Sequence, residues 1–386
     1  MEIRDRVGRL IAERSSAALG LLKDLVNIDS GTHTPEGVNE VADILHVSFA
    51  AAGFDVRRLS QDKYGDHLVA TVRGRNDKGA KLLLVGHMDT VFDKGTSAAR
   101  PYTVEGNTAR GPGVHDMKSG LVSCLEATRA LLDAGFSDFR QITVLFNSDE
   151  EVGSPSSRAL IEEAARGSDV AFLLECAYPD ATMVTARKGV GRYLLSVTGK
   201  AAHAGADPEL GVSAVEEIAR KILEIHALTD YASGRTLNVG VLSGGTRRNV
   251  VAAEATAEID LRVVTREQGE WVESELRRIV AAPSLKGATV HLQGGLNRPP
   301  MERTPATERL FNIVRSEGRR LGLVVGERAT GGGSDGNFTA AIGTPTVDGM
   351  GPQGGFAHSL DEYMQLDTFP DWVTLLAYSL IGACGK

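Results

Sequence analysis

Four short apolar runs, HLVATVRG (67–74), KLLLVGH (81–87), QITVLFNS (141–148) and VAFLLEC (170–176), alternate with stretches of helical periodicity over the first 187 residues. Runs of that length between helices specify a largely parallel sheet covered by helices, because a strand buried on both faces has no need of polar alternation. One of the intervening helices, LVSCLEATRALLDAG (121–135), stops at a glycine suited to a left-handed C-terminal cap. With 386 residues the chain exceeds one core of ordinary size, so two domains are expected.

The rhythm changes after residue 187. Strand GRYLLSVTG, helix SAVEEIARKILEIHAL, strands TLNVGVLSG and EATAEIDLRVV, helix EQGEWVESELRRIVAA and strand ATVHLQGG follow in turn, a βαββαβ order that matches the ferredoxin-like split unit. NRPPMERTP then reads as a linker, after which helix ATERLFNIVRSEGRRLG, strand TPTVDGM and a last helix FPDWVTLLAYSLIGA restore the first pattern. The expected architecture is an α/β domain of residues 1–187 and 299–386, its mixed, mostly parallel sheet flanked by helices, with an α+β domain of residues 188–298 inserted into it.

Three of the apolar runs end on groups that do chemistry. His87 and Asp89 follow LLLVG, Glu150 and Glu151 follow ITVLFNSD, and Glu175 closes AFLLE; Asp116 lies in GPGVHDMKSG and His358 in GGFAHS. The carboxyl ends of parallel strands open onto one crevice, so residues remote in sequence converge there. Two imidazoles and three carboxylates suit a pair of Zn(II) ions, whose charge those carboxylates and a hydroxide would cancel. Without cations the same carboxylates would repel and titrate upward. Asp89, two residues from His87, is placed to accept the second imidazole N–H and fix the tautomer. Glu150, beside the expected ligand Glu151, can take a proton from a metal-activated water and deliver it to a leaving amine.

The motifs HMDTV, GPGVHDMKSG, SDEEVGS, GKAAHAG and GGGSDGN resemble, from about residue 80 to the C-terminus, the zinc-dependent exopeptidase family of aminoacylase, acetylornithine deacetylase and succinyl-diaminopimelate desuccinylase. Within that family the likeness is to the bacterial glutamate carboxypeptidase (carboxypeptidase G type) branch. The resemblance implies two zinc ions per subunit, Co(II) or Mn(II) being alternatives, with His87 and Glu175 on one, Glu151 and His358 on the other, and Asp116 bridging. It implies Glu150 as general base and acid, a cis peptide between Asp116 and Met117, and an inserted domain that forms a homodimer and closes over the site. His203 of GKAAHAG would reach the partner's site and polarise the scissile carbonyl, while Asn249, Arg262 and the glycine-rich loop at Gly333 and Ser334 would hold the substrate's carboxylate. The implied reaction is hydrolysis of the amide bond of an N-acyl or peptidyl amino acid by a zinc-bridging hydroxide. An aminoacylase, deacetylase or dipeptidase with a neutral product, or a non-catalytic homologue, is the alternative. One departure bears on that choice: CAYPDAT after Glu175 has no counterpart of the lysine that the glutamate-specific branch uses, and Arg187 and Lys188 are the nearest cations.

Other signals point away from rival functions. A net charge of -8 with no basic stripe disfavours nucleic acid and anionic membranes as partners. The amphipathic N-terminus has no secretory core and no stretch is apolar enough to span a bilayer, so a cytoplasmic protein is expected. Cys124, Cys176 and Cys384 are far apart and odd in number, as reduced thiols would be. GGSDG (332–336) fits a nucleophile elbow but lacks the apolar strand that must precede it, and GVGRYL precedes a strand where a dinucleotide loop would follow one. His33, His46, His67, His226 and His291 read as structural, His115 as a neighbour of the site, and Cys176 as core on the face opposite Glu175.

Overall fold

The computed structural model describes residues 2–385. The chain divides into two compact units, residues 1–186, 303–329 and 334–386 in the first and residues 187–302 with 330–333 in the second.

The first unit is built on strands β1 (Asp55–Leu59), β2 (His67–Arg73), β3 (Lys81–His87), β4 (Gln141–Asn147) and β5 (Val170–Leu173), in the order β1-β2-β4-β3-β5, with the two-residue strand Thr346–Val347 beyond β5. β4, β3, β5 and Thr346–Val347 run parallel, whereas β2 pairs antiparallel with β4 and β1 antiparallel with β2, so the sheet is mixed. Burial on both faces explains the unbroken apolar run of β3. Leu82 and Leu84 join the core formed with helices Ile3–Val26, Ser119–Asp133 and Phe369–Cys384, while Leu83 and Val85 join a second core with Ile161 and Phe338 on the other face. Gly86 follows because a Cβ there would sit 2.5 Å from Met117 Cε. The helix Ser119–Asp133 ends as its sequence requires: Gly135 has φ 82°, its N–H donates to Leu132 O, and the Phe136 N–H reaches back to Leu131 O.

The second unit is the expected βαββαβ succession. Strands β6 (Gly189–Thr198), β7 (Thr236–Gly244), β8 (Glu254–Val263) and β9 (Thr289–Arg298) form an antiparallel sheet in the order β7-β8-β6-β9, with helices Ala214–His226 and Arg266–Val280 supplying Ile218, Ile225, Val272 and Leu276 to its core. Both helices start where a side chain caps them, Ser213 accepting from the Glu216 N–H and Thr265 from the Gln268 N–H. The edge strand β7 leaves Val241 and Leu242 53% and 57% exposed.

Three details differ from the sequence reading. β5 stops at Leu173, so Glu175 and Cys176 lie in irregular chain past the strand and strand alternation does not govern where they point. The TPTVDGM strand shrinks to two residues, and NRPPMERTP is partly strand, since β9 runs to Arg298. No helix among the described residues is long and apolar enough to cross a membrane.

Candidate metal centre and active site

Parallel pairing of β3 with β4 sets His87 directly beside Asn147, so the turn that carries Glu150 and Glu151 starts at the level where His87 ends its strand. Asp116 enters from the turn Val114–Lys118, in which the Asp116–Met117 peptide is cis. His358 enters from the loop after the short strand Gly354–Gly355, with φ 63°, as Phe356 has φ 56°. A non-glycine residue in that left-handed region costs about 1–2 kcal/mol, so the loop needs support. Arg100 and Arg110 supply it: Arg100 donates to the carbonyls of Ser359 (3.0 Å) and Leu360, and Arg110 donates to that of Asp361 (3.1 Å).

Asp116 is the hub of the cluster. Its Oδ1 lies 3.2 Å from His87 Nε2 and its Oδ2 3.0 Å from His358 Nε2, while Glu151 Oε2 is 3.2 Å from His358 Nε2 and Glu175 Oε1 is 3.7 Å from His87 Nε2. One carboxylate therefore faces two imidazoles through its two oxygens, and each imidazole has a second carboxylate of its own. Donor atoms of His87, Asp116 and Glu151 all fall within 4.8 Å of one another. The His87 side chain is 1% exposed and that of His358 is 54% exposed, which makes one side of the cluster deep and the other open.

Electrostatics favour cations at this place. Burial raises the Glu151 carboxyl to about 7 despite its contact with His358, and burial raises Glu175 as well. Burial also works against the Asp116 anion, but hydrogen bonds to His358 and His87 outweigh it and hold this group far below the carboxylate range. The same carboxylates lift His358 to about 11 and hold His87 well above its usual value although burial opposes its charge. The donors thus gather positive charge in the form of protons, a role that a divalent ion would take over. Glu151 Oε1 is buried with no hydrogen-bond partner, as a metal-facing oxygen would be. The donor set and its charge fit a pair of divalent cations.

Asp89 behaves differently from the sequence expectation. His87 Nδ1 sits 2.9 Å from the main-chain carbonyl of Asp89 but 3.5 Å from its carboxylate, so the carbonyl is what accepts this N–H and leaves Nε2 facing Asp116. The carboxylate is used elsewhere. It accepts from the Thr32 hydroxyl (2.6 Å) and from the backbone N–H groups of Glu150 (3.2 Å) and Glu151 (3.3 Å), and so organises the acidic turn.

In the second unit, His203 and Asn249 are neighbours. His203 forms an antiparallel bridge with Val250, and Ala204 N–H donates to Asn249 O. His203 Nδ1 accepts from the N–H groups of Gly205 (3.2 Å) and Ala206 (3.0 Å), which leaves the ring proton on Nε2, an outward donor. Arg262 is engaged by Asp260 through two bonds (2.9 and 3.0 Å) and also donates to Gly331 O (3.3 Å), beside Gly333 in the same glycine-rich stretch. Ser334, expected to contribute its backbone N–H, donates that N–H to Asn337 Oδ1 (2.8 Å). It is 1% exposed, and its hydroxyl donates to Asp348 (2.5 Å), because the chain turns inward there.

The sequence of residues 83–381 matches the model of Peptidase family M20/M25/M40. This chain belongs to that family. It is 33% identical over 363 residues to carboxypeptidase G2 of Pseudomonas sp. (strain RS-16), covering 93% of this chain and 87% of that protein. In fold it is similar to the aminopeptidase PepT from Bacillus cereus (TM-score 0.81, 22% identity, 96% and 99% of the two chains). A dinuclear metal-binding peptidase of the M20 family from Bacillus subtilis is also similar (TM-score 0.72, 16% identity, 97% and 99%). As an M20 chain the protein is a metal-dependent hydrolytic enzyme of the peptidase class.

Residues that the sequence reading missed complete this M20 site. Glu362, fully buried, accepts the N–H groups of Gly113 (3.0 Å), His115 (2.9 Å) and Asp116 (2.9 Å), and so fixes the turn that presents Asp116. Burial raises its carboxyl to about 7. Lys118 reaches from the same turn to Ile28 O (2.9 Å). Glu362 in SLDEYMQ carries no local pattern that distinguishes it from a surface glutamate, so only its three backbone partners reveal its role.

Proposed function

We propose that this chain is a homodimeric di-zinc amidohydrolase that releases an amino acid from an N-acyl or peptidyl substrate in the manner of a glutamate carboxypeptidase. The observation that carries the reading is the Asp116 carboxylate set between His87 and His358, each with its own second carboxylate. His87 and Glu175 would hold one ion, Glu151 and His358 the other, and Asp116 both. Bound there, the ions would polarise the scissile carbonyl and lower the pKa of the attacking water. Glu150 takes the proton from that water and passes it to the leaving nitrogen. His203, with its proton on Nε2, donates to the oxygen of the tetrahedral intermediate, and Asn249, Arg262 and the Gly333 backbone bind the free carboxylate of the substrate. The exposed apolar residues of the β7 edge, with Val215 and Leu223 also open to solvent, support a second copy as the covering partner. The reading extends to a cytoplasmic protein, in keeping with three cysteines that are odd in number and far apart in the chain.

A second reading keeps the chemistry and changes the product to a neutral amino acid, as in an aminoacylase, deacetylase or dipeptidase. It is favoured by the segment Cys176–Thr182, which lacks a lysine, and by the engagement of the two nearest cations with carbonyls, Arg187 with Gly332 (3.2 Å) and Lys188 with Gly234 (2.6 Å). Mass-spectrometric detection of amino acids freed from a panel of N-acyl amino acids and dipeptides by zinc-loaded protein separates the two. Glutamate or aspartate alone supports the first reading and neutral products the second. Glu150→Ala should bind zinc normally and lose about 10²–10⁴-fold in kcat, the usual contribution of a positioned acid–base group. Full activity of that variant would refute the proton-transfer role.

A further inference from the structure

The turn that carries Glu150 and Glu151 is gripped from two sides. In front, the Asp89 carboxylate accepts the N–H groups of both glutamates. Behind it lies a polar network built of Asn147, Asp149, Ser154, Ser157 and Asp335, all 2% exposed or less. Asn147 Nδ2 donates to Asp335 Oδ2 (2.7 Å) and to Ser157 Oγ (2.8 Å), and the Ser157 hydroxyl donates to Asp149 Oδ1 (2.5 Å). The Ser154 hydroxyl donates to the other Asp335 oxygen, and the Ser154 N–H to Asp149 O (2.8 Å). Asp335 thus holds both ends of the segment: Asn147 is three residues before Glu150, and Ser154 is three residues after Glu151.

Ser154 has φ 57°, a conformation that a residue with a side chain adopts only when its surroundings impose it. The hydroxyl contact to Asp335 is one of those constraints. Asp335 itself is the second residue after Thr330–Gly333, the stretch that clusters with the second unit.

We propose that Asp335 is a positioning residue for catalysis, acting through Asn147 and Ser154 to set the Glu150–Glu151 turn; the proposal rests on the roles assigned above to those two glutamates. A buried carboxylate that accepts from both ends of the eight-residue segment 147–154 fixes its width, and a turn released by one of its flanks no longer presents Glu150 and Glu151 at their working distances. A merely structural carboxylate would change stability alone.

The test is Asp335→Asn, which keeps volume and removes one acceptor and the charge. Expected are an unchanged far-ultraviolet circular dichroism spectrum, kcat lower by about 10–100-fold with KM within about threefold, and zinc lost to a competing chelator at about 10-fold lower chelator concentration. Asp335→Glu, which restores the acceptors, should recover part of kcat. Ser154→Ala removes a single contact and should lower kcat by about 3–10-fold. Wild-type kcat and zinc retention in folded Asp335→Asn would overturn the proposal, as would wild-type kcat in Ser154→Ala should Asp335→Asn fail to fold. If Glu150→Ala is inactive while Asp335→Asn is fully active, only this proposal falls; if Glu150→Ala keeps full activity, the reading beneath it falls.

Discussion

The strand-end cluster of the first unit and the His203–Asn249 region of the second solve opposite physical problems. Around Asp116 the chain buries like charges together, with His87 1% exposed and Glu151 driven up to about 7 by its surroundings. Around His203 the groups are exposed, and the one guanidinium expected at a substrate carboxylate is already paired with Asp260. The first region stores electrostatic stress that a cation relieves, so it is specified within one chain. The second has little stress to relieve, and its unit leaves Val241 and Leu242 of the β7 edge open, where the proposed reading sets a second copy.

Chelation gives the largest contrast between them. Stripping metal from the proposed holoenzyme should abolish turnover, by more than about 10³-fold, and restored zinc should bring it back. Hydrogen exchange should then quicken in residues 113–118 and 148–154 and stay unchanged in 189–298. Equal quickening in both regions would break the contrast. Next in size is the edge strand. Val241→Asp with Leu242→Asp should yield monomers that keep two zinc ions per chain yet lose about 10²–10³-fold in kcat, the loss expected when an oxyanion donor is withdrawn. Fully active monomers by light scattering would show that His203 serves its own chain or none.

The smallest effect concerns His67, which is 1% exposed between Ser148 and Ser156 at the rear of the acidic turn. Burial lowers its pKa, although Asp149 and Asp89 pull the other way. The unfolded chain therefore binds this proton first as pH falls. The contribution of neutral His67 to stability is complete above the unfolded value of roughly 6.5 and is lost as pH drops toward the folded value. Between pH 7 and pH 5 the melting temperature of the wild type should fall more steeply than that of His67→Gln. Parallel slopes would mean that His67 does not titrate within the folded turn.

Much of the architecture could be read from the chain because burial leaves a periodic trace. The run from Leu82 to Val85 announces a strand covered on both faces, and SAVEEIARKILEIHAL and EQGEWVESELRRIVAA announce the helices of the second unit. Strand direction leaves no such trace: the apolar run of β2 looks like those of its parallel neighbours yet pairs antiparallel, and β1, with its charged DVRRL, has no apolar run at all.

By itself the sequence offered His87, Glu150, Glu151 and Glu175 after apolar runs, with Asp116 and His358 in separate loop motifs, as a set of carboxylates and imidazoles whose charge suits cations. Tertiary structure alone decided how each is held. It gave the His87 N–H to the Asp89 carbonyl, turned the Ser334 hydroxyl toward Asp348, and set Glu362 and Asp335 behind the turns that carry Asp116 and Glu151. The reason is one of range. Periodicity and capping are fixed by neighbours a few residues away, whereas a buried carboxylate finds its donors across hundreds of residues, and only the packed chain says which ones it meets.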